Sequence, residues 1–491
     1  MMLLLEGLKS LDFLSWEFYF LFIIFVMVYW LIPTAYRKCV ILILSFSFYL
    51  SNGVFSLCLL LYLIGISWLT AELLCRSKSK IYLFSGVLLI VLPIVLIRIM
   101  QKMSGTGQLG GLGRSLIVPA YIGLAYTTMM ALSYIFDIYY GRYRCVNFSN
   151  YAVYLSFFPY AVSGPIERTG HINSQIESLK SKRYSCMELQ SGMTLILYGL
   201  FVKLVVADRI GILVRNVFEH YGDYVGFELF FALVMYGIEI YCDFSACSDI
   251  ARGAAVCFGI HIINNFQQPY FSRNINEFWH NWHISLSRWL RDYVYIPLGG
   301  NRKGKARQYI NIIITFSVSG LWHGFSSHFV LWGLIHGCYQ VMDKSTELLR
   351  EKINYVLHIN SKTIGHQVFQ VIVTFACVDF AWLFFRTEQL KDVLFILKRM
   401  ICGMDLSFIN GSGWLNLGLD QHDWNVLVIG LAVALCVDIM HNFYKDKLMK
   451  TFLRDNLLVK YFCWIILLVM TASFGIYGYG YDSAAFIYRG F

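Results

Sequence analysis

Apolar runs of about 18 residues or more recur from end to end of the chain, long enough to cross a bilayer as helices. The first hydrophobic run is Phe18–Ile32. Arg37 and Lys38 follow it, Arg76, Lys78 and Lys80 follow the second and third runs, and Arg142 and Arg144 follow the fifth. Near the far end, Lys445, Lys447, Lys450, Arg454 and Lys460 precede a final run, Tyr461 to Ile476. The pattern predicts an all-α, polytopic integral membrane bundle of roughly ten to twelve spans. No repeat at fixed period and no low-complexity linker divides it, so residues 1–491 read as one domain.

The middle of the chain breaks the pattern. Residues 167–209 gather charges around one apolar run. Residues 264–308 are too polar for a clean span, yet rich in Trp, Tyr and Phe, which predicts a re-entrant segment walled by protein. Within it, Phe278, Trp282, Leu286 and Trp289 recur at helical spacing, as do Trp279, His283, Leu286 and Leu290. One amphipathic helix is predicted, ended by Pro297, with Arg288, Arg291 and Asp292 on or near its other side. It reads equally as an interfacial helix with an aromatic belt. The following LGGNRKGKAR reads either as a positive-inside loop or as a phosphate-binding loop.

Composition agrees with a bilayer: 58% of residues are hydrophobic and 14% charged, where soluble chains carry about a quarter. The first run lacks a basic leader and a small-residue cleavage site, so it reads as a retained span. The net charge of +10 follows from basic clusters held in cytoplasmic loops. No basic stripe interleaves with exposed aromatics on a soluble domain, which excludes nucleic acid as a partner. With the clusters inside, the N-terminus, the Gly-rich loop KMSGTGQLGGLG (102–113) and the tail 478–491 fall outside. The thirteen cysteines are scattered singly without a CxxC, so neither a disulfide framework nor a zinc site is expected.

Ionisable groups at membrane depth are costly and point to function. GLWHGFSSHFVLWGLIHG (320–337) sets His323, His328 and His336 among apolar residues. Glycines 320 and 324 flank His323 and allow close approach of another chain or a ligand, which makes it the leading candidate. His328 reads as a loop residue and His336 as a structural or supporting histidine. No acidic residue lies between positions 293 and 342, so no metal site is expected. Asp243 and Asp249 are six apart and fall on different helix faces, fit to orient a histidine or to pair with Arg252.

An ordered set of motifs brings a family into view: GPIER (164–168), DFSACSD (243–249), PYFSR (269–273), FWHNWHISLSRWLRDYVYIPLGGNRKG (278–304), GLWHG (320–324), WGLIHG (332–337) and FAWLFFR (380–386). The chain resembles the membrane-bound O-acyltransferases, in particular the bacterial branch that serves alginate O-acetylation and teichoic acid D-alanylation. The resemblance implies helices around a transmembrane tunnel, with an acyl thioester entering from the cytoplasm and a hydroxyl acceptor from the other side. It maps the catalytic histidine to His323 and its polar partner to His283. A neutral imidazole takes the hydroxyl proton, a contribution of about 10²–10⁴-fold. Trp279, Trp282, Ser285, Arg288, Arg291, Asp292, Trp322 and His336 are the expected substrate- and donor-binding positions.

The ending FIYRGF is similar to an aromatic C-terminal motif of that branch and sets Tyr488 at its tyrosine, an expected acyl relay. Arg489 and Gly490 depart from the motif, and the tail also reads as an aromatic end resting on the interface. The expected donor is acetyl-coenzyme A or the phosphopantetheine of an acyl carrier protein, with no bound cofactor. The expected partners are membrane lipids, a separate extracytoplasmic acyltransferase and a polysaccharide acceptor, in a bacterial inner membrane. D-alanyl transfer to teichoic acid is the alternative within the class. A polysaccharide export channel or a non-catalytic scaffold is the alternative outside it.

Overall fold

The computed structural model describes residues 14–105, 123–161, 164–387, 389–403, 413–444 and 457–477. Outside the described residues lie 106–113 of the Gly-rich loop, the basic residues Lys445, Lys447, Lys450 and Arg454, and the tail 478–491 with Tyr488. Every described element is helical. Two compact units emerge. One takes the described residues up to Gly199 with Cys247–Asn264; the other takes Leu200–Ala246 with the described part of Asn265–Tyr479.

The first unit contains α1 (Trp16–Leu31), α2 (Arg37–Ser51), α3 (Val54–Arg76), α4 (Lys80–Gly105), α5 (Leu124–Tyr139), α6 (Phe148–Ser156), α7 (Thr169–Ser178) and α8 (Cys186–Phe201). Ser15 caps α1 by accepting from the Phe18 amide at 3.2 Å. Along α4, Phe84, Leu88, Leu92 and Leu96 are exposed at a spacing of four, an apolar stripe fit for lipid. Arg37 is buried beneath Tyr29 and Trp30, its guanidinium carbon 5.3 and 4.7 Å from their ring centroids. The GPIER motif is a structural clasp. Glu167, fully buried, accepts from the Ile263 amide and meets His171 Nδ1 at 2.8 Å, while its own carbonyl accepts from Tyr154.

No disulfide framework was expected from the scattered cysteines, yet one pair, Cys75 and Cys145, is bonded. They are 70 residues apart, and only the tertiary fold brings their Cα atoms to 6.8 Å.

His171 is expected to make this unit respond to pH. Its hydrogen bond with Glu167 raises its pKa above the usual 6.5. The resulting stability is fully present below the unfolded value and is lost as pH rises through the folded one. The melting temperature of the solubilised chain is therefore expected to exceed that of His171→Gln most at about pH 6, with the gap narrowing by about pH 8. A gap that widens with pH would contradict the pairing.

The second unit opens with a π-helical turn, Val202–Ala207, leading into α9 (Asp208–Glu219). It continues through α10 (Phe227–Cys257), whose end from Cys247 belongs to the first unit. Then come α11 (Ile275–Asn281), α12 (Ile284–Leu290), a second π turn (Arg291–Tyr295), α13 (Lys305–His323), α14 (Ser327–Ser345), α15 (Glu347–Val356), α16 (Ile364–Arg386), α17 (Leu390–Cys402), α18 (Gln421–Tyr444) and α19 (Leu457–Phe474). Lys203, on the first π turn, bridges Asp208 Oδ1 at 2.7 Å and Asp243 Oδ1 at 2.6 Å. Asp249 pairs with Arg252 at 2.8 Å.

Among the described residues, five helices are long and apolar enough to cross a membrane: Val54–Arg76, Lys80–Met100, Phe227–Cys257, Ile364–Arg386 and Gln421–Asn442. Glu17–Leu31 and Leu458–Phe474 are shorter apolar helices. The molecule is a polytopic membrane helical bundle.

Candidate functional site

The site lies in the second unit and begins with a broken helix. The single amphipathic helix expected from 274 onward is corrected to two short ones. Asn274 starts α11, its side chain accepting from the Glu277 amide at 2.7 Å. After Asn281 the chain straightens at Trp282 (φ −102°, ψ 129°), and His283 turns left-handed (φ 41°, ψ 56°) before α12 resumes. A non-glycine residue in that region carries strain of about 1–3 kcal/mol and needs support. Asn265 supplies it: its carbonyl accepts from the Ile284 amide at 3.0 Å and its side chain from the Ser285 amide at 3.2 Å. The helical spacing persists on both sides of the break, so the pattern alone conceals it.

A second element is the pair α13 and α14, joined by residues 324–326. Their backbones touch at two glycines. A Cβ on Gly320 would collide with the Phe329 carbonyl, and one on Gly333 with the Phe316 carbonyl. The glycines of GLWHG and WGLIHG are therefore explained by packing.

These elements set three histidines into one aromatic enclosure. His283, 1% exposed, stands edge-on to Phe244 at 4.9 Å and 5.9 Å from Trp322. Trp322 lies 4.7 Å from His323, which is 2% exposed and packs on Trp332 and Phe385, each at 5.1 Å. Trp332 also neighbours His336, at 5.0 Å and fully buried. Trp279 closes on His336 at 5.0 Å and gives it an indole hydrogen bond. Trp282 packs on Trp382, which stacks on Trp332 at 5.7 Å. All distances are between ring centroids except the hydrogen bond.

Of the expected positions, His283, His323, His336, Trp279, Trp282 and Trp322 thus come together, with Ser285 buried at the supported break. Arg288 and Arg291 are exposed, and Arg291 pairs with its neighbour Asp292 at 2.9 Å. His328 lies in the first turn of α14 against Phe329 at 4.1 Å. In the basic loop, Arg302 turns back onto the Gly299 and Ile296 carbonyls, and Asn311 holds the Gly300 carbonyl at 2.8 Å. Asn265, Trp332, Phe385 and the Lys203–Asp208 pair were not singled out from sequence, and Asp243, expected to orient a histidine or pair with Arg252, pairs instead with Lys203. Trp332 and Phe385 sit inside quoted motifs, whereas Asn265 carries no local signal.

Among the described residues no cluster of three or more His, Cys, Asp or Glu is placed to hold a metal ion. The enclosure offers imidazole and indole nitrogens within a largely apolar wall. Such a site can move a proton while keeping water from a reactive ester.

The chain is similar to several known proteins. The chain is 33% identical over 270 residues to a protein of Pseudomonas syringae pv. tomato named Probable alginate O-acetylase AlgI, covering 55% of this chain and 49% of that one. It is 32% identical over 255 residues to the peptidoglycan O-acetyltransferase of Helicobacter pylori, covering 52% and 47%. With the teichoic acid D-alanyltransferase of Streptococcus thermophilus it is 27% identical over 312 residues, covering 61% and 73%. The chain thus matches about half the length of the first two. The sequence profile described as MBOAT, membrane-bound O-acyltransferase family, matches residues 12–380, which include both His283 and His323. The chain belongs to the membrane-bound O-acyltransferase family.

Proposed function

We propose that the protein is an O-acyltransferase that carries an acyl group, acetyl in this reading, from a cytoplasmic thioester across the membrane toward an extracellular or cell-wall polysaccharide. The burial of His323 in an aromatic enclosure shared with His283 carries the proposal. The imidazole of His323 removes the acceptor hydroxyl proton as the oxygen attacks the thioester carbonyl. The carbon–sulfur bond breaks, an ester forms, and the proton passes to the departing thiolate. His283 orients the reactants. The surrounding indoles exclude water that would otherwise hydrolyse the thioester.

The donor is acetyl-coenzyme A or an acyl carrier protein, and the first acceptor is Tyr488, which hands the group to a separate extracytoplasmic transferase. Full-length protein in liposomes, given labelled acetyl-coenzyme A inside, is expected to gain label on Tyr488, read by mass spectrometry. Tyr488→Phe is expected to lose that label and polymer acylation together. Undiminished polymer acylation in Tyr488→Phe sinks the relay and leaves the base role standing. Thioester-dependent transfer also separates this reading from a channel or a scaffold.

D-alanyl transfer is the second reading. It is favoured by the match to the S. thermophilus protein, which extends over 73% of that protein's length. A D-alanyl carrier-protein thioester supplied in place of acetyl-coenzyme A distinguishes the two.

A further inference from the structure

The third histidine of the enclosure has a defined protonation pattern. Trp279 Nε1 donates to His336 Nδ1 at 3.3 Å. An indole N–H can only donate, so Nδ1 must present its lone pair. The ring is then neutral and its single proton sits on Nε2. Held this way, His336 has no second basic nitrogen, because Nδ1 is occupied and Nε2 already bears hydrogen. It is a hydrogen-bond donor.

That donor is fully buried and, among the described residues, meets no acceptor. The same holds for Trp332 Nε1, four residues earlier on one face of α14, with the two ring centroids 5.0 Å apart. A buried donor left without an acceptor costs about 1–3 kcal/mol. Two of them on one helix face point to a ligand that accepts hydrogen bonds there. The His323 ring packs on the same Trp332 at 5.1 Å. The imidazoles of His336 and of the proposed base thus pack on one indole.

We propose that His336, held as its Nε2–H form by Trp279, joins Trp332 Nε1–H in binding the carbonyl oxygen of the acyl thioester. This rests on the acyl-transfer reading above. As the acceptor oxygen adds to the carbonyl carbon, the carbonyl π pair moves onto the carbonyl oxygen and the two N–H groups hold the resulting anion. The pair returns when the carbon–sulfur bond breaks, and the thiolate leaves with the proton that the base removed. Trp279 is a positioning residue, acting through the form it imposes on His336.

Two measurements on the full chain in membranes test this. The first is ¹⁵N spectroscopy of histidine-labelled protein, with the His336 signal assigned by its loss in His336→Gln. The wild type is expected to show the neutral Nε2–H form, and Trp279→Phe to shift population toward Nδ1–H. A wild-type His336 that is Nδ1–H or doubly protonated overturns the proposal. The second is turnover of acetyl-coenzyme A in liposomes. His336→Leu is expected to lower kcat by about 10²–10³-fold with KM little changed. His336→Gln, whose amide N–H replaces Nε2–H, is expected to recover most of that loss. If His336→Gln is folded yet as slow as His336→Leu, the donor role fails. If the wild type consumes no thioester while the Nε2–H form is seen, the acyl-transfer reading and the carbonyl role fall together, and the Trp279 lock alone survives.

Discussion

His323→Ala is expected to slow acyl transfer by about 10²–10⁴-fold, the usual contribution of a positioned general base. The ring it removes is 2% exposed and framed by Trp322, Trp332 and Phe385. The cavity left behind will cost some stability as well, so the loss has to be separated from misfolding. His328→Ala serves as the control, since it deletes the same side chain five residues away, where His328 packs on Phe329 and is one ring removed from His323. The measurement is transfer of labelled acetyl from acetyl-coenzyme A in liposomes, alongside elution and melting of each variant. A folded His323→Ala protein working at the wild-type rate would falsify the base assignment. Loss in His328→Ala equal to that in His323→Ala would show that the assay reports packing alone.

The second large effect is expected on stability. Lys203→Met removes the cation that lies between Asp208 and Asp243, with the lysine and Asp243 side chains each 3% exposed. Breaking a buried pair from one side typically costs about 3–5 kcal/mol, because the remaining charges keep their desolvation penalty. Here two carboxylates would lose the cation they share, so the upper part of that range is expected. Converting both to their amides, Asp208→Asn and Asp243→Asn, in the Lys203→Met background should restore most of the loss. Tryptophan-fluorescence melting of the solubilised chain reads both steps. An unchanged melting temperature in Lys203→Met, or no recovery in the triple variant, would show that the three groups do not act as one cluster.

Much of this was legible in the amino-acid pattern, and the exceptions share a cause. The bounded apolar runs Phe18–Ile32 and Tyr461–Ile476 return as α1 and α19 because a membrane helix states its length and polarity locally. The motif glycines 320 and 333 were visible as letters, but their reason is a backbone crossing between α13 and α14. The break at His283 was hidden because Trp282 and His283 keep the helical spacing of a continuous helix. What interrupts it is Asn265, nearly twenty residues earlier, bonding the Ile284 and Ser285 amides. The Cys75–Cys145 bond was missed for a related reason, since neither cysteine has a neighbour in sequence that marks it. Asp249 and Arg252 were readable because three residues on a helix is a local distance, whereas Lys203 and Asp243 are 40 residues apart. Local rules reached what local interactions decide, and the site is mostly made by distant ones.

The three-residue connection between α13 and α14 has a kinetic consequence. His323, Trp332 and His336 all belong to that hairpin, and a short loop closes at little entropic cost. Half of the enclosure can therefore form as soon as residues 305–345 exist as two helices in contact, without waiting for distant chain. His283 and Trp279 must then dock from α11 and α12, each only seven residues long and too short to be stable alone. The enclosure is therefore expected to be built against the order of its sequence at this point: the later hairpin is the mould, and the earlier broken helix is cast against it.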